Sequence, residues 1–283
     1  MAMRIVLLGA NGQLGTDLCR QVAQGSFDID LIALTRQDVD ASEAIIIDHQ
    51  FDVLINCVAY NRVDDAESNK TLAMRINGES VGEMASICAK QNARLLHVST
   101  DYVFEGERDR PYLEHDSINP LSVYGQSKAL GEKLAGEGCP DTLIFRTASL
   151  FGIAGAGNFV ETMIRVGRER GELRVVDDQI MSPTGTADVA KMILTALINQ
   201  APAGIYHAVN SGQASWHEFA KRIIEQSNIS ATVEPIPASQ YPVAAKRPAN
   251  SVLDNTKLSN IVGPIPHWTD ALDRYLRDKG HLV

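Results

Sequence analysis

Short apolar runs alternate with amphipathic stretches along the first half of the chain. Residues 4–8 predict a buried strand, and 14–24 place apolar residues at helical spacing after a glycine-rich turn. Further apolar runs occur at 30–34, 52–58, 94–98 and 142–145, and an amphipathic stretch covers 72–90. Uniformly apolar strands separated by helices are typical of a parallel sheet covered on both faces. We therefore expect an α/β fold with a Rossmann-type, doubly wound parallel sheet.

The pattern loosens after about residue 150, where Gly- and Pro-rich loops separate shorter elements. We expect a main Rossmann domain over 1–150 and a smaller α/β lobe over 151–283, with strands or helices exchanged between them. Ser215 and Glu218 form a capping-box pattern that predicts the start of a helix in this lobe.

Composition and charge exclude several classes of protein. The net charge of −9 and a pI near 5.3 disfavour a surface that grips nucleic acid, which needs clustered Lys and Arg. The N-terminus has no signal-peptide pattern and no apolar run is long enough to span a bilayer. The four cysteines form no C-x-x-C pair or zinc-ligand spacing. We expect a cytoplasmic protein with reduced thiols, no membrane partner and no metal.

A glycine loop follows the first predicted strand. It reads Gly9-Ala-Asn11-Gly12-Gln13-Leu14-Gly15, so its glycines are spaced G-x-x-G-x-x-G between a strand and a helix. Glycine allows backbone amides at a helix N-terminus to approach a pyrophosphate, which the helix dipole also favours. The position of the loop in the first strand-helix unit predicts that domain 1–150 binds a nicotinamide dinucleotide.

The end of the second predicted strand bears on which dinucleotide is bound. A carboxylate there takes the ribose hydroxyl of NAD, whereas an arginine suits the extra phosphate of NADP. Arg36 favours NADP(H), but Asp38 and Asp40 are close, and a solvated surface arginine explains the same pattern. NAD(H) stays open as the alternative.

Tyr124 and Lys128 stand four residues apart, which on a helix places a phenol and an ammonium on one face. A nearby positive charge favours the phenolate and so helps proton transfer near neutral pH. Ser99-Thr100-Asp101 follows a predicted strand at its carboxyl end, where a hydroxyl can hold a substrate carbonyl beside Tyr124. Turn or helix capping is the competing interpretation of that triplet. We predict Tyr124 and Lys128 as catalytic residues, assisted by a hydroxyl of this triplet.

The sequence resembles the dTDP-4-dehydrorhamnose reductases, a family of extended short-chain dehydrogenases, over nearly its whole length. The resemblance is carried by GANGQLG from Gly9, NCVAYNRVDDAE from Asn56, STDYVFEG from Ser99, YGQSKALGE from Tyr124, RTASLFG from Arg146, VVDDQIMSPT from Val175 and AAKRPANSVLD from Ala244. It implies reduction of a 4-keto-6-deoxy sugar nucleotide by NAD(P)H, with dTDP-4-dehydro-β-L-rhamnose as the expected substrate. It also implies Thr100, Tyr124 and Lys128 as the catalytic residues, with Tyr124 as proton donor.

The resemblance also implies binding residues. Besides the glycine loop, Arg36, Tyr124 and Lys128, the cofactor set includes Cys57, Val58, Ala59, Tyr60 and Asn77. The substrate set comprises Val63, Thr100, Asp101, Tyr102, Asn158, Phe159, Gln179 and Arg247, the last as a phosphate clamp. The oligomer is expected to be a monomer or a homodimer.

Three departures from the family pattern affect the predicted substrate. Ser149 stands where the family usually has a tryptophan near the sugar, Asn61-Arg62 replace a Thr-Ala pair near the cleft, and Gly185 stands after Pro-Thr where a larger residue is common. A pocket without a large aromatic wall selects a different sugar. The alternatives are therefore a reductase of another 4-keto-6-deoxy sugar nucleotide, an epimerase or dehydratase of the same scaffold, or a noncatalytic NADP-binding subunit resembling the regulatory subunit of methionine adenosyltransferase.

Overall fold

The computed structural model describes residues 2–25, 27–155 and 157–282. The strands in these ranges are β1 (Met3–Leu8), β2 (Ile29–Leu34), β3 (Val53–Asn56), β4 (Arg94–Thr100), β5 (Thr142–Thr147), β6 (Leu150–Phe151), β7 (Glu172–Val176), β8 (Ile180–Met181), β9 (Thr184–Gly185), β10 (Gly204–His207), β11 (Ala214–Ser215) and β12 (Thr232–Ile236). The helices are α1 (Gln13–Ala23), α2 (Val63–Ala66), α3 (Lys70–Met74), α4 (Ser80–Gln91), α5 (Val123–Gly138), α6 (Phe159–Arg170), α7 (Thr186–Ile198), α8 (Trp216–Gln226), α9 (Thr256–Val262) and α10 (Trp268–Asp278).

Six of these strands form one parallel sheet in the order β2-β1-β3-β4-β5-β10. The chain leaves β1 for β2 on one side and then crosses back to β3 on the other side, so the strand order reverses at β1. Ligands of open α/β sheets bind outside the carboxyl ends of the strands at this reversal. The predicted doubly wound parallel sheet is confirmed.

Alternate side chains of β1 supply the two faces of the sheet. Ile5 and Leu7 pack with α1 and α7 on one face, whereas Val6 and Leu8 pack with α4 on the other. All four side chains are almost fully buried. Burial on both faces explains why the strand is a continuous apolar run, because neither face meets water.

A smaller lobe stands beyond the carboxyl edge of the sheet. Its core packs Phe151, α6, α8 and α10 together, and a parallel pair of β7 and β12 lies against α8. Strands β6 and β9 pair in register, Leu150 with Thr184 and Phe151 with Gly185. After this lobe segment the chain returns to the large sheet as α7 and β10.

Several sequence-based predictions can be compared directly with these elements. Helix α8 begins with the predicted capping box, in which Ser215 and Glu218 each accept from the other's backbone N–H. The stretch 72–90 is not one regular helix, because a π-helical turn at Arg75–Glu79 separates α3 from α4. The four cysteines are free thiols. Within the described ranges, no helix is both long and apolar enough to cross a membrane.

Candidate active site

A cleft of about 360 Å³ opens at the carboxyl edge of the sheet. Its wall combines the glycine loop, the ends of β3, β4 and β5, and the first two turns of α5. Many of the residues that line the cleft are predicted site residues, namely Gly12, Gln13, Leu14, Gly15, Cys57, Ala59, Val63, Thr100, Asp101, Tyr102, Tyr124 and Lys128. Parallel packing thus brings together segments that lie more than a hundred positions apart in the sequence.

Two glycines of the loop are required by close backbone contacts. Gly9 has φ of +79°, and a Cβ there would lie 3.2 Å from the Cys57 carbonyl carbon. A Cβ on Gly15 would lie 2.2 Å from the Gly9 carbonyl oxygen, which is a prohibitive overlap. The loop therefore closes tightly against the start of α1 only if both positions lack a side chain.

The start of α1 offers free amide donors to this cleft. Gly12, the N-cap residue, provides no side-chain cap, and the backbone N–H groups of Gln13, Leu14 and Gly15 donate to no acceptor in the described ranges. Such groups, aided by the helix dipole, bind an anion. These free amides suit the pyrophosphate of a dinucleotide.

The turn after β2 leaves its arginine available. Asp38 accepts from the backbone N–H and the hydroxyl of Thr35, both at 2.8 Å. Asp40 accepts from the backbone N–H and the hydroxyl of Ser42, and from Nε of Arg36 at 3.0 Å. These hydrogen bonds lower the pKa of Asp40 to about 2. Arg36 is largely exposed and lies outside the lining of the cleft. Both carboxylates are therefore occupied locally, and Arg36 keeps most of its guanidinium exposed to solvent although its Nε is paired with Asp40.

The predicted catalytic side chains come from two elements. Ser122 caps α5 by accepting from the N–H of Gly125 at 3.2 Å, which starts the helix just before Tyr124 and sets Lys128 one turn further on. Thr100 ends β4 and donates to Oδ1 of Asp101 at 2.9 Å. The rings of Tyr102 and Tyr124 meet edge to face, with centroids 5.8 Å apart. The cleft thus presents a phenol, a hydroxyl and an amine to one space.

Burial dominates the ionisation of these groups. It raises the pKa of Tyr124 to about 12, against a smaller lowering effect of the Thr100 hydroxyl. Burial likewise lowers the pKa of Lys128 to about 8, against smaller raising effects of Glu132 and Cys57. Desolvation thus dominates the pKa of Tyr124, and the resting phenol keeps its proton.

A buried ion pair holds β5 against α5, and the end of β4 joins it through Ser99. Arg146 donates from Nε and Nη2 to the two carboxylate oxygens of Glu132, at 2.9 and 2.7 Å. Ser99 donates to Oε1 of Glu132 at 2.6 Å. The Ser99 hydroxyl is therefore committed to this network, which leaves Thr100 as the hydroxyl of the triplet that faces the cleft.

Part of the predicted cofactor set lies outside the cleft lining. Asn77 is fully buried and binds the backbone of Tyr60 through both ends of its amide, and it also donates to Ser127 at 2.9 Å. These contacts fix the segment after β3 to the start of α5. The structure also places Gly9, Asn11, Arg36, Val58 and Tyr60 away from the lining.

A second cavity of about 580 Å³ adjoins the cleft at Trp216. Its wall includes the predicted substrate residues Phe159, Gln179 and Arg247. Arg247 pairs with Asp64 at 2.9 Å, while its Nε is buried without a hydrogen-bond partner in the described ranges. Arg247 thus keeps a donor that its protein surroundings do not satisfy.

Asp101 and Asn158 occupy different environments among the predicted substrate residues. Asp101 is buried, Oδ2 of its carboxyl lacks a partner in the described ranges, and burial raises its pKa to about 6. Asn158 instead caps α6 and donates to Gly152, to Tyr275 and, at 3.3 Å, to Oε1 of Gln13, so its amide links the lobe to the start of α1. The structure does not bring Asn158 into either cavity lining.

The sequence did not indicate two residues that shape the site. Trp216 lines both cavities from the first position of α8, where the sequence signalled only a helix start. His97 is fully buried, yet its Nε2 lies 3.4 Å from Nζ of Lys128. The contact of His97 with Lys128 depends on how β4 packs against α5, which no local sequence pattern predicts.

An anion site at the first strand-helix turn shares one cleft with a phenol, a hydroxyl and an amine, as carbonyl reduction by a dinucleotide requires. The fold and site define an oxidoreductase of the short-chain dehydrogenase class. Residues 3–280 match the family model described as RmlD substrate binding domain. The chain therefore belongs to the RmlD family.

Relatives of known name cover nearly the whole chain. A dTDP-4-dehydrorhamnose reductase of Burkholderia thailandensis is 38% identical over 298 residues, covering 98% of this chain and 99% of the relative. A dTDP-4-keto-6-deoxy-D-glucose reductase of Streptomyces niveus is 34% identical over 280 residues, covering 96% of each. The crystal structure of a dTDP-4-dehydrorhamnose reductase of Bacillus anthracis in complex with NADP has a TM-score of 0.92 and 36% identity, covering 98% of this chain and all of that one.

Proposed function

We propose that this chain reduces dTDP-4-dehydro-β-L-rhamnose to dTDP-L-rhamnose with NADPH. The observation that carries the proposal is the shared cleft, in which the free amides at Gln13–Gly15 face the same space as Thr100, Tyr124 and Lys128. The Burkholderia relative has this activity by name, and the Bacillus anthracis structure holds NADP.

The dinucleotide would be held by the glycine loop and the turn after β2. The amides of Gln13, Leu14 and Gly15 are free to bind the pyrophosphate, and Cys57 and Ala59 flank the path from there to Tyr124. Arg36 is the exposed cation for a ribose phosphate, which supports NADP(H) over NAD(H). When bound, the nicotinamide supplies the hydride.

The side chains of the cleft handle the proton. Tyr124 donates its phenolic proton to the carbonyl oxygen, and the raised pKa keeps that proton in place until the oxygen gains charge. Thr100, whose hydroxyl donates to Asp101 in the free protein, turns that proton to the same oxygen when the substrate is bound. Lys128 sits one turn from Tyr124 with its amine inside the cleft, where its charge stabilises the phenolate left after transfer.

The second cavity would hold the nucleotide end of the substrate. Arg247 faces it with an unsatisfied Nε, which suits a diphosphate oxygen, and Phe159 offers an apolar wall. Asp101 lies in the cleft lining, where its unpartnered oxygen can meet a sugar hydroxyl. We therefore divide the chain into a cofactor domain, residues 1–150 joined by α7 and β10, and a substrate lobe formed by most of 151–283.

A second candidate is reduction of another 4-keto-6-deoxy sugar nucleotide. Ser149 lines the cleft at the position where the family pattern has a tryptophan, and it adopts a left-handed backbone with φ of +46°. A smaller wall beside the sugar changes the sugar that fits. The Streptomyces niveus relative, named for a 4-keto-6-deoxy-D-glucose nucleotide, supports this candidate.

The test measures oxidation of NADPH and NADH by the purified chain with each of two enzymatically generated substrates, dTDP-4-dehydro-β-L-rhamnose and dTDP-4-keto-6-deoxy-D-glucose. The sugar product is identified by NMR. Turnover of the first with dTDP-L-rhamnose as product supports the proposal, and turnover of the second alone favours the alternative. Tight NADPH binding without turnover of either would overturn both and favour a noncatalytic binding subunit.

A further inference from the structure

A buried histidine lies directly beneath the amine of Lys128. His97 belongs to β4, is fully enclosed, and places Nε2 at 3.4 Å from Nζ of Lys128. On the other side of the ring, Nδ1 lies 3.1 Å from the amide nitrogen of Asn56 on β3. Desolvation, together with the charge of Lys128, holds the pKa of His97 well below its usual range, so the ring is neutral. A neutral imidazole carries one proton, on either Nδ1 or Nε2.

The orientation of the Asn56 amide determines which ring nitrogen of His97 carries the proton. Oδ1 of Asn56 accepts from the backbone N–H of Val58 at 2.9 Å, and a carbonyl oxygen is the only end of the amide that can do so. The amide nitrogen must therefore face His97 and donate to Nδ1. Since Nδ1 accepts, the single proton of the neutral ring stands on Nε2 and points toward Lys128.

This tautomer leaves the amine of Lys128 with an unusual neighbour. Nζ donates to the carbonyl oxygen of Val98 at 2.6 Å, but on the imidazole side it meets an N–H and not a lone pair. An ammonium has three donors and no acceptor, whereas a neutral amine has one lone pair that can accept from Nε2–H. The protein therefore solvates the neutral amine better than the ammonium at this contact.

The other groups that face Lys128 do not compensate for that contact. Cys57, the residue directly after β3, keeps its proton because burial raises its pKa to about 12. Glu132 of α5 is shared between Arg146 and Ser99, and Tyr124 is a neutral phenol in the resting protein. Among the described residues, the groups acting on Lys128 thus come from the end of β3, from β4 and from α5, and His97 makes the direct contact.

We propose that Asn56 and His97 are positioning residues which set the proton affinity of Lys128. Asn56 fixes the Nε2–H tautomer, and that N–H stabilises the neutral amine of Lys128, so that the amine can release and regain a proton beside Tyr124. This role rests on the proposed function, because it concerns the lysine of the reductase cleft. The tautomer itself does not depend on any substrate.

The tautomer is tested in the intact protein labelled with ¹⁵N-histidine. Long-range ¹H–¹⁵N correlations of the ring of His97, assigned by their loss in His97→Gln, distinguish a protonated Nε2 from a protonated Nδ1. We expect a protonated Nε2 and a bare Nδ1 between pH 6 and 9. A proton on Nδ1 would overturn the proposal, whatever the activity of the chain.

The effect on Lys128 is tested by ¹³Cε-lysine NMR titration, with the signal assigned by its loss in Lys128→Arg. Two variants turn an acceptor toward the amine. Asn56→Asp forces the proton of the imidazole onto Nδ1, and His97→Gln offers an amide oxygen without adding charge. Each should raise the titration midpoint of Lys128 by about one pH unit, the size of one such hydrogen bond.

His207→Gln is the matched control. His207 is also a fully buried histidine on the large sheet, but its Nδ1 contacts the carbonyl oxygen of Asp254 and it does not touch Lys128. Its variant should leave the midpoint of Lys128 unchanged. An unmoved midpoint in His97→Gln, or equal shifts in both histidine variants, would contradict the proposal. In the reductase assay, the alkaline limb of the kcat/KM profile should move with the NMR midpoint; absence of all turnover would instead refute the proposed function alone.

Discussion

Replacing Glu132 with Gln should cost far more stability than any surface charge of the same helix. The carboxylate is nearly fully buried and accepts three hydrogen bonds, two from Arg146 and one from Ser99. Gln keeps the shape of Glu but turns an NH₂ group toward a guanidinium that stays charged in proteins. The variant therefore leaves a buried cation without its counter-charge.

The magnitude follows from that burial. Removing one partner of a buried ion pair costs about 3–5 kcal/mol, because the remaining charge cannot regain its hydration. Glu132→Gln should lower the free energy of unfolding by this amount and the Tm by roughly 10 °C. The double variant Glu132→Leu with Arg146→Met, which removes both charges, should recover most of that loss.

Urea denaturation followed by circular dichroism measures these differences. The control is Glu137→Gln, the same substitution on the same helix, where Glu137 and Lys133 form an exposed pair at 3.9 Å. That variant should change the free energy of unfolding by less than about 1 kcal/mol. Equal losses in the two Gln variants, or a double variant less stable than Glu132→Gln, would refute the reasoning.

Three further predictions concern the cleft. Tyr124→Phe should lower kcat by about 10²–10⁴-fold while the Kd for NADPH, measured by fluorescence, stays within about twofold, since the hydroxyl acts in the transition state; near-normal kcat would exclude Tyr124 as the acid. Asp101 has a pKa raised by burial to about 6 from 3.8, so the folded protein holds this proton more tightly than the unfolded chain, and stability falls as the pH rises between these values. Asp101→Asn should therefore raise the free energy of unfolding by about 2 to 3 kcal/mol at pH 7.5 and by almost nothing near pH 4; an equal gain at both pH values would show another cause. Arg36→Ala should raise the KM for NADPH by about 10-fold and leave that for NADH nearly unchanged, the loss of one charge-assisted contact; parallel changes would remove Arg36 from the cofactor site.

Local sequence patterns predicted the parts of the structure that are formed by consecutive residues. The strand, glycine loop and helix from residue 3 to 23 are consecutive, so apolar spacing and the position of glycine suffice to define them. Tyr124 and Lys128 share one helix, which fixes their separation. These parts of the fold and of the site are local.

Contacts that depend on strand register or on chain return could not be predicted in this way. Asn56 meets His97 because β3 and β4 pair with these two residues opposite each other, and a slip of one residue would separate them. Trp216 reaches the cleft from 92 positions beyond Tyr124, and β10 rejoins the large sheet after the whole lobe segment. The loosened pattern after residue 150 concealed that return, because short elements carry little periodicity.

The pairing of β6 with β9 gives the substrate lobe an evolutionary property. Leu150–Phe151 lies beside Thr184–Gly185, so the segment 152–183 leaves and re-enters the core at neighbouring points. Segments with adjacent ends can be exchanged or lengthened with little disturbance to the domain that carries them. This excursion supplies Phe159 and Gln179 to the second cavity but none of the predicted catalytic side chains. Descendants of one reductase could therefore acquire a preference for another nucleotide by replacing a single cassette, while the machinery for hydride and proton transfer is inherited intact.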